Sequence, residues 1–472
     1  MSSTAQPLRE STSFLASLRE AILGSSHRDY TEGSISRAIT LLAVPMVLEM
    51  AMESLFGIVD VFFVAHLGAD AVATVGLTES LITPLFAIAL GLSMGTTAIV
   101  ARRVGEKHPS AAAVAAVQAL ILGVAISAVV GITGFLFAPK LLAAMGASES
   151  IIRTGSGYTR TLFGGSATIF FLFLINAVFR GSGDPSIAMR SLWLANLINI
   201  VLNPCLILGL GPFPAMGVTG SAIGTTIGRG VGVMYQLWHL THGSGRVHIH
   251  REQMRVDWAV MKRLIQLSIG GTIQYFIGVS SWIVLVRVAA SFGSAAIAGY
   301  TLAIRIIIFG LLPSWGMSNA AATLVGQNLG AKKPDRAERS VWLTGFYNMC
   351  FLGLLGLVFI FFARPIVSIF TNDSAVIAIA ASALRTISYG YVFYAYGMVM
   401  VQSFNGAGDT RTPTIINLFC YWMWQLPLAY WLAFRAGFGV NGVFIAVAAA
   451  ESALAIAGML AFRRGKWKTI KV

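Results

Sequence analysis

The chain is 472 residues long, 56% hydrophobic and only 11% charged, with a mean hydropathy of +0.76. Soluble globular proteins carry about a quarter of charged residues, so the composition excludes a soluble fold and places the chain in a bilayer. The formal net charge of +14 is accounted for by membrane topology, described below, and no nucleic-acid partner is expected.

In chain order, residues 1–36 read as a polar cytoplasmic tail without a removable signal peptide. Within it Phe14, Leu15, Leu18, Ile22 and Leu23 fit either a short amphipathic helix on the inner surface or a disordered tail. Apolar stretches of about 20 or more residues then predict spans near 38–65, 71–101, 111–136, 151–179, 186–210 and 217–240. A basic loop at 241–257 reads as a solvated cytoplasmic linker; its His248-x-His250 is weak evidence for a metal site, and none is assigned. Six more spans follow near 259–290, 295–325, 339–364, 375–405, 412–434 and 440–463, then a basic tail at 464–472.

The two sets are copies of one unit. Leu67, Gly68, Ala73, Gly91, Ser93, Gly105, Lys107 and Pro109 recur as Phe292, Gly293, Ala298, Gly316, Ser318, Gly330, Lys332 and Pro334, each 225 positions later. Arg180-Gly-Ser-Gly-Asp184 recurs as Asn405-Gly-Ala-Gly-Asp409, and Gly217-Val-Thr-Gly220 as Gly439-Val-Asn-Gly442. Paired hydrophobic halves are how many secondary transporters are built. The fold expected is all-α and integral to the membrane, with twelve transmembrane helices in two pseudo-symmetric six-helix bundles, 37–240 and 258–463. Lys and Arg collect after spans two, six and eight and in the two tails, so both termini are expected in the cytoplasm and the chain in the cell inner (plasma) membrane. A monomer is expected.

An ionisable group at the bilayer centre costs about 3 kcal/mol on insertion scales, so each is a functional candidate. Glu49, Glu53 and Asp60 fall on one stripe of the first span, whereas their counterparts 225 positions on are Gln274, Gly278 and Leu285. A carboxyl group in a partly dry cavity with like-charged neighbours binds protons near physiological pH. Asp60 is the first candidate for such a switch and Glu53 its neighbour; Glu49 either lines a water-filled vestibule or pairs with an arginine. Glu79 and Glu451 are isolated acids and Arg160, Arg229, Arg287, Arg305 and Arg385 isolated bases, read mainly as salt-bridge partners. Asn176, Asn196, Asn199 and Asn203 offer amides that bond either form of a carboxyl, or glue helices together, and Tyr158 joins that network or anchors an interface. Pro45, on the same helix as Asp60, is the candidate hinge, ahead of Pro84 and Pro313. In the second half Tyr389, Tyr391, Tyr394, Tyr396, Met398, Met400, Tyr421, Trp422 and Trp424 suit either a cavity for lipophilic cations or interfacial belts. For that cavity Glu49, Tyr389, Tyr394, Met398 and Trp424 are the candidates. Cys205, Cys350 and Cys420 lie in apolar spans without paired spacing and read as small buried hydrophobes.

Pro45 with Gly57-Ile-Val-Asp60, the Leu67-Gly68 to Gly76 turn, Gly91-Leu-Ser-Met-Gly95, Val104-Gly105 and the paired Gly-x-Gly-Asp loops together resemble the MATE (multidrug and toxic compound extrusion) family over 37–463. The resemblance implies two six-helix bundles and export of organic cations or other amphiphiles in exchange for H+ or Na+. Within the family the chain is most similar to the DinF-like branch. There Asp60 matches the essential acid of the first helix and Pro45 the bending proline. Tyr158 and Asn176 match polar residues of the fourth helix and Asn199 the asparagine of the fifth. The branch's Asn-x-x-x-Asp-Pro stands here as Asn199-Ile-Val-Leu-Asn203-Pro204, and the NorM-like acid of the seventh helix is absent. Both departures weaken a Na+ site, because hard cations want charged oxygen ligands. The reading is an H+-coupled antiporter with cation-coupling residues Asp60, Glu53, Tyr158, Asn176, Asn199 and Asn203, no cofactor and no metal. Its rivals are a Na+-coupled exporter and a lipid or oligosaccharide flippase of the same superfamily. A membrane enzyme would need a catalytic set at one membrane face, and the Gly-x-Gly-Asp loops read as tight turns.

Overall fold

The computed structural model describes residues 6–7, 14–24, 28–243, 245–470 and 472; the remainder of the two tails and of the central loop lies outside the described residues. The first half comprises α2 (Ile35–Ala65), α3 (Ala69–Gly105), α4 (Pro109–Ala144), α5 (Glu149–Gly164), α6 (Ser166–Ser182), α7 (Pro185–Leu208) and α8 (Val218–His242), preceded by α1 (Phe14–Leu23). The second comprises α9 (Trp258–Ala290), α10 (Ser294–Gly330), α11 (Pro334–Ser368), α12 (Ser374–Ser388) and α13 (Tyr391–Ala407). It closes with α14 (Arg411–Asn417), which runs on through π-helical turns to α15 (Leu426–Tyr430) and Arg435, and with α16 (Val440–Arg463). Eight spans, with the bent pair α12–α13 as a ninth, are long and apolar enough to cross a bilayer. The rods α2, α8 and 411–435 complete two sets of six, as the repeat requires.

Two spans are broken where the sequence leads one to expect single helices. The fourth breaks at Gly165, and the tenth bends by 62° around Tyr389 and Gly390. Gly165 and Gly390 are themselves 225 positions apart, so the break belongs to the repeated unit.

The repeated glycines sit where the halves touch, and each is needed for backbone contact. A Cβ on Gly105 would lie 2.0 Å from the Gln327 carbonyl oxygen, and one on Gly330 would lie 2.2 Å from that of Arg102. Residues 102 and 327 are repeat equivalents, so α3 and α10 cross reciprocally about a pseudo-two-fold axis. The relation extends outward: Gly91 abuts Ser268 and Thr272 of α9, and Gly316 abuts Met46 and Val47 of α2, again 225 positions apart. Thus α2 packs on α10 and α9 on α3.

These contacts gather at the end that carries the basic loops and both tails. There Lys333 donates to the Thr31 carbonyl at 3.1 Å, Arg336 to those of Tyr30, Glu32 and Gly33, and the Tyr30 hydroxyl to the Gly183 carbonyl at 3.1 Å. Arg102 donates to Ile470 at 2.8 Å, Trp467 is fully buried, and Glu338 and Asp335 hold the Lys468 ammonium above its ordinary range. The tails, expected as plain extensions, therefore strap the halves together, and α1 adopts the helical alternative, packed on α2. The central loop also differs from a solvated linker. Val247 and Ile249 are buried, and Gln118 of α4 bonds Arg255 and Asp257. Toward the other end, Gly57, Gly68, Gly76, Gly278 and Gly293 have nothing within 4 Å of a built Cβ, so this face of the halves is open.

Gly105→Ala or Gly330→Ala is expected to cost about 1–3 kcal/mol by overpacking, whereas Gly57→Ala, in open space, should leave stability unchanged or raise it by about 0.5–1 kcal/mol. Thermal unfolding of the purified variants in detergent checks the contrast.

Candidate coupling and substrate sites

The acidic stripe of α2 divides into two environments. Glu49 is 1% exposed and ion-paired with Arg180 of α6 at 2.8 Å, with Asn176 donating to the same oxygen at 3.1 Å. Gln236 of α8 donates in turn to the Asn176 carbonyl. Glu49 thus takes the arginine-paired alternative, and the Asn176 amide bonds Glu49, not Asp60. The counterparts of Glu49 and Arg180 are Gln274 and Asn405, and these are also bonded to each other, at 3.1 Å. Both halves use the same cross-helix pin, charged in one and neutral in the other.

Asp60, eleven residues further along α2, has only neutral partners. Its Oδ1 accepts from Asn203 of α7 at 2.7 Å and from Ser221 of α8 at 2.8 Å. Neither bond reaches Oδ2. Asn199, one turn before Asn203, donates to Thr225 at 2.8 Å, so it buttresses the site one layer away and does not touch Asp60. Tyr158 is buried within electrostatic reach of Asp60, Glu79 and Arg229. Glu53 is half-buried and its charge is felt by Glu49, not by Asp60.

Ser221 and Thr225 escaped the sequence reading. The signal was a glycine at every fourth residue of α8, Gly220, Gly224, Gly228 and Gly232, a pattern that lets helix backbones approach in membranes. A Cβ on Gly224 would lie 2.5 Å from Asn203 Oδ1, and those on Gly220 and Gly228 would lie 2.5 Å from the Leu206 and Ala195 carbonyl oxygens. Glycine here seats α7 against α8 and carries Asn203 to Asp60.

Pro45 lies inside an unbroken α2. It removes one helical N–H, loosening the ladder at Leu41, and the adjacent Met46–Val47 backbone rests on Gly316. In the second half Tyr394 lines a small cavity with Tyr391, Trp282 and Glu451, and Met398 is buried beneath Ser314, which donates to its sulfur at 3.4 Å. Tyr389 and Trp424, 67% and 46% exposed, stand outside that cavity, and Cys350 is exposed, not buried. Among the described residues, Arg160, Arg229, Arg287, Arg305 and Arg385 form no ion pair within 4.0 Å, contrary to their expected role; Arg385 instead donates to the Ile360 carbonyl at 3.1 Å.

The MatE family model matches residues 45–205 and 272–431, one copy on each half. The chain belongs to the MatE family. Members of this family are transporters, so the chain is a transporter and not an enzyme. The probable multidrug resistance protein YoeA of Bacillus subtilis is 26% identical over 421 residues, 88% of this chain and 91% of the relative. The probable multidrug resistance protein NorM of Thermotoga maritima is 25% identical over 440 residues, 92% and 93%. Among solved structures, an outward-facing conformation of a multidrug resistance MATE family transporter superposes with a TM-score of 0.87 at 26% identity, covering 93% of this chain and 98% of that one.

Removing Arg180 strands a buried carboxylate, so Arg180→Asn alone should destabilise the protein by about 3–5 kcal/mol. The double variant Glu49→Gln/Arg180→Asn, which copies the Gln274–Asn405 pin, should recover most of that loss. A double-mutant thermal-stability cycle measures the difference.

Proposed function

We propose that this MatE transporter is a proton-coupled antiporter that exports organic cations or amphiphilic drugs. The observation that carries the reading is Asp60: one carboxyl, tied to two neutral donors on other helices, with one oxygen left over for a proton. Asn203 supplies an amide where the DinF-like pattern has a second carboxylate, so the site offers a hard cation few charged ligands, while a proton needs only one. The names of the relatives, which describe multidrug resistance, support the substrate class.

In this reading the halves are closed at the cytoplasmic end by the α3–α10 crossing and open outward. Ionised Asp60 ties α2 to α7 and α8 by accepting from Asn203 and Ser221. A proton arriving from outside adds to Oδ2 and turns an acceptor into a donor, and the weakened tie lets α2 bend near Pro45. The bend narrows the cleft against the bound substrate, which leaves outward. Moving one charge through about 100 mV is worth about 2.3 kcal/mol, more than the roughly 1.4 kcal/mol that a tenfold concentration ratio requires.

Asp60→Asn fixes the neutral, amide-like state. Proteoliposomes holding this variant should lose at least about nine-tenths of export of a fluorescent cation driven by a pH gradient, while wild-type export should be indifferent to Na+ at fixed pH. Undiminished pH-driven export by the variant would defeat the role of Asp60, and export that requires Na+ would favour the sodium-coupled alternative.

A further inference from the structure

The repeat directs attention to the first half for coupling, because Asp60 becomes Leu285 in the second. The second half nonetheless contains a buried acid. Glu451 of α16 is 5% exposed and accepts from the Tyr421 hydroxyl at 3.2 and 3.3 Å to its two oxygens. It borders the cavity formed with Trp282 of α9, Ile304 and Leu311 of α10, and Tyr391 and Tyr394 of α13. The titratable groups around it are Tyr421 and Cys420 on the π-helical stretch and Tyr391 and Tyr394 on α13; no lysine, arginine, histidine or second acid lines the cavity from α9, α10, α12 or α16 among the described residues.

At the 222-residue offset that carries Gly217 onto Gly439, Glu451 is the counterpart of Arg229. Arg229 is the cation whose field reaches Asp60. The first half thus sets an acid on its first helix within the field of a base on its sixth, without an ion pair, and the second half has lost the acid and put one in the place of the base. An ionised carboxylate without a cation, held by one phenol in an apolar cavity, is costly. It is stable there only while it carries a proton. The Tyr421 hydroxyl both donates and accepts, so it bonds either form. The cavity holds about 20 Å³, room for about one water molecule, which admits a proton carrier and excludes a drug-sized cation. Its lining is apolar, with too few oxygens for a sodium ion.

We propose that Glu451, held by Tyr421 beside this water-sized cavity, is a second proton-binding carboxyl of the transport cycle, so that each half carries one. The proton comes from water on to a Glu451 oxygen and returns to water on the other side, with no bond broken beyond that transfer. The proposal rests on the proton-coupled reading above but is tested separately from it. In proteoliposomes the proton-to-substrate ratio, read from the reversal potential, should fall by one in Glu451→Gln. An unchanged ratio, or a Na+ requirement that Glu451→Gln abolishes, overturns the proposal. Infrared difference spectra between acidic and alkaline buffer supply a readout independent of transport. Glu451→Gln should lose one protonated-carboxyl band that Asp60→Asn retains, whatever becomes of Asp60's own role. If Glu451→Gln does not fold, Tyr421→Phe should shift that band and leave the others; a spectrum identical to wild type overturns the assignment.

Discussion

The crossing of α3 and α10 is the constraint on which the rest of the molecule depends. Two helices can share a pseudo-two-fold axis at this distance only if neither has a side chain at the crossing, and Gly105 and Gly330 meet that condition on each other's partner strand of contacts, against Gln327 and Arg102. Buried polar bonds follow the same symmetry to within one residue: Gln327 donates to the Gly181 carbonyl at 2.9 Å and Arg102 to that of Ala407 at 3.4 Å. The helices meet at the basic end, whereas toward the other end Gly57 of α2, Gly76 of α3 and Gly278 of α9, with Gly68 and Gly293 just before α3 and α10, have nothing within 4 Å of a built Cβ. In the proposed reading coupling acts on these helices, and α2 carries the stripe Glu49, Glu53 and Asp60.

Along α2 the carboxylates Glu49 and Asp60 are treated oppositely. Glu49 is neutralised by Arg180 and sits beside the crossing, where its neutral counterpart Gln274–Asn405 performs the same joining of helices. A buried ion pair of this kind is held in place by the cost of breaking it. Asp60 lies toward the open end with amide and hydroxyl donors alone. Neutral donors bind a carboxylate without fixing its charge, which is what the proposed proton switch requires. The division gives α2 a segment pinned around Glu49 and a neutral-bonded one around Asp60.

Much of this was legible in the sequence. Span boundaries follow from hydropathy, and the 225-residue repeat marks the glycines of the crossing before any fold is known. The Asp60–Asn203 contact is also legible, since the amide stands where the family pattern has an acid. What the sequence hides is register between helices. Whether Arg180 or a vestibule meets Glu49 depends on how α6 is turned toward α2, and a chain read one residue at a time carries no such angle. Ser221 stayed hidden for the same reason, although the glycine row beside it marks the face of α8 that meets α7. The strapped tails are set by packing of one half on the other and the broken fourth and tenth spans belong to the repeated unit itself, neither of which hydropathy registers; nor does hydropathy register that Cys350 faces outward.

The claim at the centre of this account is that the proton on Asp60 governs how α2 sits against α7. Spin labels at Phe62 of α2 and Val201 of α7, both exposed, report that relation directly by pulsed electron resonance in lipid nanodiscs. The account predicts a distance distribution that changes between alkaline and acidic buffer in an otherwise wild-type background, and one that stays in its acidic form at both pH values when Asp60→Asn is added. A pH-dependent change of equal size in the Asp60→Asn background would contradict it.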